Sequence, residues 1–356
     1  MSIPRTMKAA VLFGQGDMRL VDDYVVPEPG ADEVLIQVEA CAICGTDPRI
    51  RAEGWPNHPP YGEFIFGHEY AGRIAALGAG VSRFKIGERV AVEPHKGCGS
   101  CDNCRDGLYT TCLNYGNKES GHRHYGFSTN GGYAEYAVIH INCVSKIPDS
   151  MSIDEATLIT TAGTSLYAIR RIGGMQVGDT VVVSGPGPIG LMGVVLSRLL
   201  GAGTIILTGT RRERLDLGLK LGADIAIQVK EENPVERILA ATDGFGADAV
   251  LECSGAVRAA VDAIDYTKKS GRIALIGLYN EPIPVDGTKV ALSNITIAGT
   301  RAEGQRSVPR ALALLSRQSI DISPLITHKF ALDDIHAAFE TVEKRLDGAI
   351  KVVVKP

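Results

Sequence analysis

Apolar positions along this chain follow two rhythms, and one gives way to the other near residue 150. Before that point the apolar runs are short. "KAAVLF", "EVLIQVEA", "GERVAVE" and "GGYAEYAVIH" stand between glycine-bearing turns such as "PEPGADE", a texture that predicts β-strands. After it, "DEATLITTAGTSLYAIRRI" repeats at helical spacing and opens with acidic residues, which suit a helix N-terminus. An alternation then sets in: strand "TVVVSG", helix "PIGLMGVVLSRLLGA", strand "TIILTG", helix "RRERLDLGLKLGA", strand "DIAIQ" and helix "PVERILAAT". "ADAVLECSG", a helix over 256–268 and "GRIALIG" continue it. Strands that are apolar throughout and spaced by helices imply a parallel sheet covered on both faces. Beyond about residue 290 the alternation stops, leaving two helical segments and a last strand, "GAIKVVVKP". The fold class is therefore α/β. A doubly wound parallel sheet over 153–289 is expected, inserted into a mostly β domain made from 1–152 and 290–356.

Composition narrows the function. A length of 356 residues suits two domains better than one core. The net charge of −4 carries no electrostatic footprint for nucleic acid, and no apolar run approaches the ~20 residues of a membrane span. "MSIPRTMKAAVLF" lacks the apolar core of a signal peptide. Without an export signal, eight cysteines point to reduced thiols and metal binding. A cytoplasmic enzyme is the expectation.

Three motifs carry chemistry. "VVVSGPGPIGLMG" sets Gly185, Gly187 and Gly190 in G-x-G-x-x-G spacing between a strand and a helix, the context of a dinucleotide site. The glycines permit a tight turn, close approach of a pyrophosphate and close helix–strand packing. Pro188 and Ile189 begin the helix, whose free N–H groups face the phosphates. The next strand ends in "ILTGTRRERL", so Gly209 and Thr210 stand where an acid would grip the ribose 2′-hydroxyl of NAD. Arg211 and Arg212 follow. Cationic forks without a carboxylate favour the 2′-phosphate of NADP, with NAD possible. "HKGCGSCDNCRDGLYTTC" contains Cys98, Cys101, Cys104 and Cys112 as C-x2-C-x2-C-x7-C, in a lobe spanning about 94–115. That set suits a closed, structural tetrahedral zinc. An iron–sulfur cluster is the rival, but the Cys-Pro that continues a ferredoxin motif is absent. Finally, "CAICGTDPRI" and "FGHEYAG" offer Cys44, His68 and Glu69, the mixed S, N and O ligands of an open catalytic zinc. Cys41 reads as a packed core thiol.

With "CGTD", "GHEYAG", "GERVAVE", the four-cysteine lobe, "GGYAEYAV" and "GPGPIG" in that order, the chain resembles the zinc-dependent medium-chain alcohol dehydrogenases over essentially its whole length. The sorbitol and threonine dehydrogenase branch is nearest. The resemblance implies a GroES-like catalytic domain with a Rossmann domain, two zinc ions per chain, a small-molecule alcohol or ketone substrate and a homodimer or homotetramer. It also implies Thr46 as the inner hydroxyl of a proton relay.

Three positions depart from the family pattern. Thr160 and Thr161 occupy the place of a fourth zinc ligand, which leaves water to complete the set, with Glu155 a weaker candidate. Arg49 stands where a relay histidine is frequent and cannot shuttle a proton. The proton then leaves through water, His58 or the cofactor ribose. Gly209 removes the NAD-selecting acid. Trp55, in "RAEGWPNHPPYGEF", is a candidate wall of the substrate pocket.

The expected reaction is NAD(P)-dependent oxidation of a secondary alcohol: a polyol, sugar, cyclitol or amino alcohol. Two other readings are a zinc-free reductase of the same fold acting on activated double bonds and a non-catalytic nicotinamide sensor. Neither needs Cys44, His68 and Glu69 together.

Overall fold

The computed structural model describes residues 3–317 and 320–356, and counts below refer to those residues. The chain divides into two compact units, Met1–Thr160 with Leu325–Pro356, and Thr161–Pro324.

In the second unit six strands lie in the order Ile225–Gln228, Thr204–Gly209, Thr180–Ser184, Ala247–Glu252, Thr267–Leu275 and Thr296–Gly299. Every neighbouring pair is parallel. Numbered along the chain this is 3-2-1-4-5-6, the doubly wound arrangement, with the order reversing beside Thr180–Ser184. The uniformly apolar strands are explained by burial on both faces, since Val181, Val182, Val183, Ile205, Ile206, Leu207, Val250 and Leu251 are all fully buried.

The stretch 290–324, expected to rejoin the β domain, belongs instead to this unit. Thr296–Gly299 pairs with Thr267–Leu275, and Val308 of the helix Ser307–Leu315 packs against Gly163. The edge strand is partly exposed along its length. It therefore lacks the apolar run by which its neighbours are recognised.

In the first unit Glu33–Ala42 is the spine. It pairs antiparallel with Glu69–Leu77 and with Tyr136–His140, and its last residues pair with the C-terminal strand Lys351–Lys355. Ala42 thus has Glu69 on one side and Val353 on the other. A second, three-stranded sheet joins Asp17–Val25, Thr6–Gly14 and Phe64–Ile65. Phe64, Phe66, Tyr70, Tyr133 and Phe339 are fully buried in the core of this unit. Among the described residues no helix is long and apolar enough to cross a membrane.

Candidate active site and metal centres

Cys44 lies in the turn after Glu33–Ala42, and Asp47 opens the short helix Asp47–Glu53 with Pro48 in its first turn. His68 immediately precedes the strand that begins at Glu69. These elements bring the ligand atoms of Cys44, His68 and Glu69 within 4.8 Å of one another. Gly67 makes the approach possible. Its φ of +89° is one that side chains rarely adopt, and a Cβ there would lie 2.7 Å from the Tyr133 ring.

Asp47, missed in the sequence, organises this cluster from a fully buried position. Its Oδ2 accepts hydrogen bonds from the Cys44 backbone N–H at 2.8 Å and the Tyr133 hydroxyl at 2.7 Å. Its Oδ1 lies 3.3 Å from His68 Nδ1, an electrostatic contact without hydrogen-bond alignment. Nε2 is then the imidazole nitrogen left to face a metal. Burial alone would lower the His68 pKa, but Asp47 and Cys44 outweigh it and hold the imidazole well above its ordinary range. The negative groups that raise this pKa would equally attract a cation.

Lys351 was also missed. It is 3% exposed on the C-terminal strand, and its Nζ meets Glu69 Oε2 in a buried ion pair. Burial opposes its charge, but Glu69, Cys44 and Asp47 prevail and raise its pKa. No sequence signal marked it, because the pair joins residues 282 positions apart.

The Thr46 hydroxyl oxygen is buried and makes no hydrogen bond among the described residues. Thr160 donates to the Val92 carbonyl at 3.0 Å, which agrees with its exclusion as a ligand. Glu155 is committed elsewhere: its Oε2 accepts from the Ser152 N–H at 2.8 Å and the Ser152 hydroxyl at 2.5 Å, completing a helix capping box. Arg49 is exposed and paired with Glu53 at 3.0 Å, while His58 Nδ1 meets the Pro59 carbonyl. Trp55 packs edge-on against Phe127 at 4.9 Å, and Phe127 lies 4.5 Å from the His68 ring.

The four lobe cysteines also converge within 4.8 Å. The sulfurs of Cys98 and Cys104, and those of Cys101 and Cys112, are 3.9 Å apart. Thiolates ~2.3 Å from a tetrahedral zinc would be about 3.8 Å apart, so one ion fits. Ser100 and Asn114 donate to Cys98 Sγ and lower its pKa to about 5, while burial pushes Cys104 up to about 12. All of these cysteines are free thiols.

The glycine turn sits where the parallel sheet reverses order. Gly185 has a φ of +98° and faces Ser254, where an added Cβ would come within 2.8 Å. At Gly190 a Cβ would meet the Gly185 carbonyl at 2.0 Å, whereas Gly187 opens onto free space. The helix Pro188–Leu199 has no side-chain cap, so its first-turn amides suit a phosphate. Ser254 is itself held by Glu252, a fully buried carboxylate that also takes the Tyr279 hydroxyl.

At the ribose end the glycine has a second cause. Gly209 is buried, and a Cβ there would lie 2.5 Å from the Pro186 ring. Packing alone would exclude an acid. Thr210 and Arg212 are exposed, Arg211 is half-buried, and Arg212 pairs with Asp216 at 3.1 Å.

Residues 30–149 match the alcohol dehydrogenase GroES-like domain family, and residues 188–317 match the zinc-binding dehydrogenase family. A sorbitol dehydrogenase from Bacillus subtilis is 33% identical over 100% of this chain and 99% of its own. An L-threonine 3-dehydrogenase from an Escherichia coli strain is 34% identical over 92% of this chain and 94% of its own. Among solved structures, a provisionally named zinc-binding dehydrogenase from Sinorhizobium meliloti 1021, bound to NADP, superposes with a TM-score of 0.89 at 28% identity, covering 99% of each chain.

Lys351→Met keeps the apolar stem but removes the cation buried against Glu69. The metal-free protein should lose about 3–5 kcal/mol of stability, since breaking one side of a buried pair leaves the other charge poorly compensated. A lower urea midpoint, partly restored by added zinc, is the expected result.

Proposed function

The chain belongs to the zinc-dependent medium-chain alcohol dehydrogenase family, in the sorbitol and threonine dehydrogenase branch, and from that premise we propose that it oxidises a polyol, sugar, cyclitol or amino alcohol at a secondary hydroxyl, with Cys44, His68 and Glu69 as ligands of the reaction-centre zinc. The observation that carries this reading is the convergence of those three ligand atoms within 4.8 Å, in a pocket whose surroundings favour positive charge.

Zinc held there would supply a charge that makes an alcohol hydroxyl acidic near neutral pH, and the nicotinamide would take the hydride. The chain's own groups do the rest. Thr46, with its buried hydroxyl not otherwise hydrogen-bonded, accepts the substrate's hydroxyl proton as it passes its own onward in a hydrogen-bonded relay. Asp47 orients His68, Tyr133 fixes Asp47, and Lys351 holds Glu69. Arg49 and His58 Nδ1 are engaged with Glu53 and Pro59, so the proton leaves through water or the cofactor ribose. In the other unit, Gly185, Gly187, Pro188, Ile189 and Gly190 cradle the pyrophosphate. NADP is the favoured cofactor: the strand carries no acid at 209 or 210, and Arg211 and Arg212 begin the next helix. One structural neighbour is bound to NADP and another is complexed with NADH, which supports a nicotinamide dinucleotide of either kind.

The second zinc is structural, held by Cys98, Cys101, Cys104 and Cys112. The enzyme works in the cytoplasm as a homodimer or homotetramer. Support for assembly comes from the edge strand Thr296–Gly299, whose outer backbone groups can pair with a second copy, and from Leu292 beside it, which is 82% exposed.

Purified enzyme should contain two zinc ions per chain by elemental analysis and turn over secondary alcohols. A chelator should remove the Cys44/His68/Glu69 ion first, abolishing activity while circular dichroism persists, because the four-sulfur site is closed. One metal per chain, or iron with visible absorbance, sinks this assignment. If Glu69→Gln keeps its zinc and full activity, Glu69 serves Lys351 and not the metal.

Because an Asp at 209 would collide with Pro186, cofactor choice is better tested at Arg211. Arg211→Ala should raise KM for NADP about ten- to a hundred-fold, as expected for one charged phosphate contact. KM for NAD should change little, and the NADP effect should shrink in high salt. A wild-type enzyme with higher kcat/KM on NAD contradicts the assignment.

Leu292→Asp should shift the mass measured by light scattering toward the monomer. Wild-type protein already monomeric at micromolar concentration rules out the edge as an assembly surface.

A further inference from the structure

The four-cysteine loop and the Cys44/His68/Glu69 cluster lie in the same unit, and a continuous set of contacts joins them. Asn114 donates its side-chain N–H to Cys98 Sγ at 3.3 Å. The next residue, Tyr115, is tied to the loop by its backbone N–H, which donates to the Cys112 carbonyl at 3.1 Å. Both ends of the metal loop therefore fix where the Tyr115 hydroxyl can reach. It lies 2.5 Å from His124 Nδ1 and accepts the Trp55 indole N–H at 3.3 Å.

Beyond Tyr115 the contacts are rings. His124 stacks on Phe127 at 3.7 Å with the planes 12° apart. Phe127 in turn lies 4.5 Å from His68 and 4.9 Å from Trp55. All three of His68, His124 and Phe127 are buried, so a displacement at one end has no slack to absorb it. The hydroxyl does two things at once. Its hydrogen bond with His124 Nδ1 fixes the plane of that imidazole. It also holds the indole in its edge-on contact with Phe127.

We propose that Tyr115 is a positioning residue that transmits the geometry of the four-cysteine loop to the ring wall beside His68, so that the loop sets substrate fit as well as stapling the fold. The inference rests on the proposed reaction centre at His68, but its physical core, the link from loop to Trp55, can be read without turnover. Trp55 is the chain's one tryptophan, and its emission reports the link directly.

The test compares wild-type holoenzyme with Tyr115→Phe, which keeps the ring and removes the hydroxyl. In wild type, releasing the lobe metal with an organic mercurial, after a chelator has cleared the more labile ion, should shift Trp55 emission. In Tyr115→Phe the starting emission should already be shifted, and lobe metal release should move it little further. Both proteins should bind the same amount of zinc. Kinetically, Tyr115→Phe should raise KM for the alcohol about five-fold, the effect of one lost hydrogen bond, with kcat and KM for the dinucleotide nearly unchanged. A purely structural role would lower stability without that split. Asn114→Ala, further from the rings, should reproduce part of the emission shift. Wild-type emission indifferent to lobe metal, or Tyr115→Phe with unaltered emission and KM, overturns the proposal. A protein that shows the emission coupling yet oxidises no alcohol would fault the reaction assignment and leave the link standing.

Discussion

One electrostatic constraint governs the first unit. Cys44, Asp47 and Glu69 gather acidic groups where water is largely excluded, and isolated charges there would cost several kcal/mol each. The fold meets part of this debt internally. Asp47 accepts two hydrogen bonds, from Cys44 and Tyr133, and Glu69 faces Lys351. The same acidic groups act on buried His68, where Asp47 and Cys44 raise the imidazole pKa against the effect of burial. A divalent cation held by Cys44, His68 and Glu69 would offset the same charges. Metal binding at such a place is inseparable from the stability of the fold around it.

That constraint explains why the two ends of the chain must share one sheet. Lys351 belongs to the last strand, and Glu69 to a strand near the start. Both flank the end of Glu33–Ala42, the spine that also delivers Cys44. A β unit closed within the first 160 residues would supply the acids but not the buried cation. Inserting the parallel-sheet unit between the halves leaves this closure intact, because the chain leaves and re-enters at Thr160 and Leu325.

How much of this could be read from the sequence depended on the range of each interaction. The glycine turn and the lobe cysteines were legible because their chemistry is set by spacings of a few residues. The strand–helix alternation was legible because burial on both faces leaves uniformly apolar runs. Asp47 was quoted inside "CGTDPRI" yet passed over, since its role arises from Tyr133, 86 positions away. Lys351 passed without remark inside "GAIKVVVKP" and is 3% exposed. The boundary expected at 290 failed for a related reason: an edge strand exposed to solvent has no pattern that assigns it to one sheet rather than another. Glu155 drew notice as an acid near the site, but a serine three residues earlier had already claimed it as a cap.

Gly209 shows a different limit, in which the right residue was noticed for an incomplete reason. The absence of an acid at the strand end is real, and it does deprive a ribose 2′-hydroxyl of its usual acceptor. Yet the position is also closed by Pro186, whose ring fills the space any Cβ would need. Residues 186 and 209 therefore act as a contact pair. A carboxylate at 209 requires something smaller at 186, and a proline at 186 requires glycine at 209. The glycine turn and the end of the strand Thr204–Gly209 are thus one mechanical unit. Whatever distinguishes the two cofactors must be contributed from outside that unit, by the side chains that open the following helix. Thr210, Arg211 and Arg212 are the side chains that stand there, Arg212 with its charge shared with Asp216.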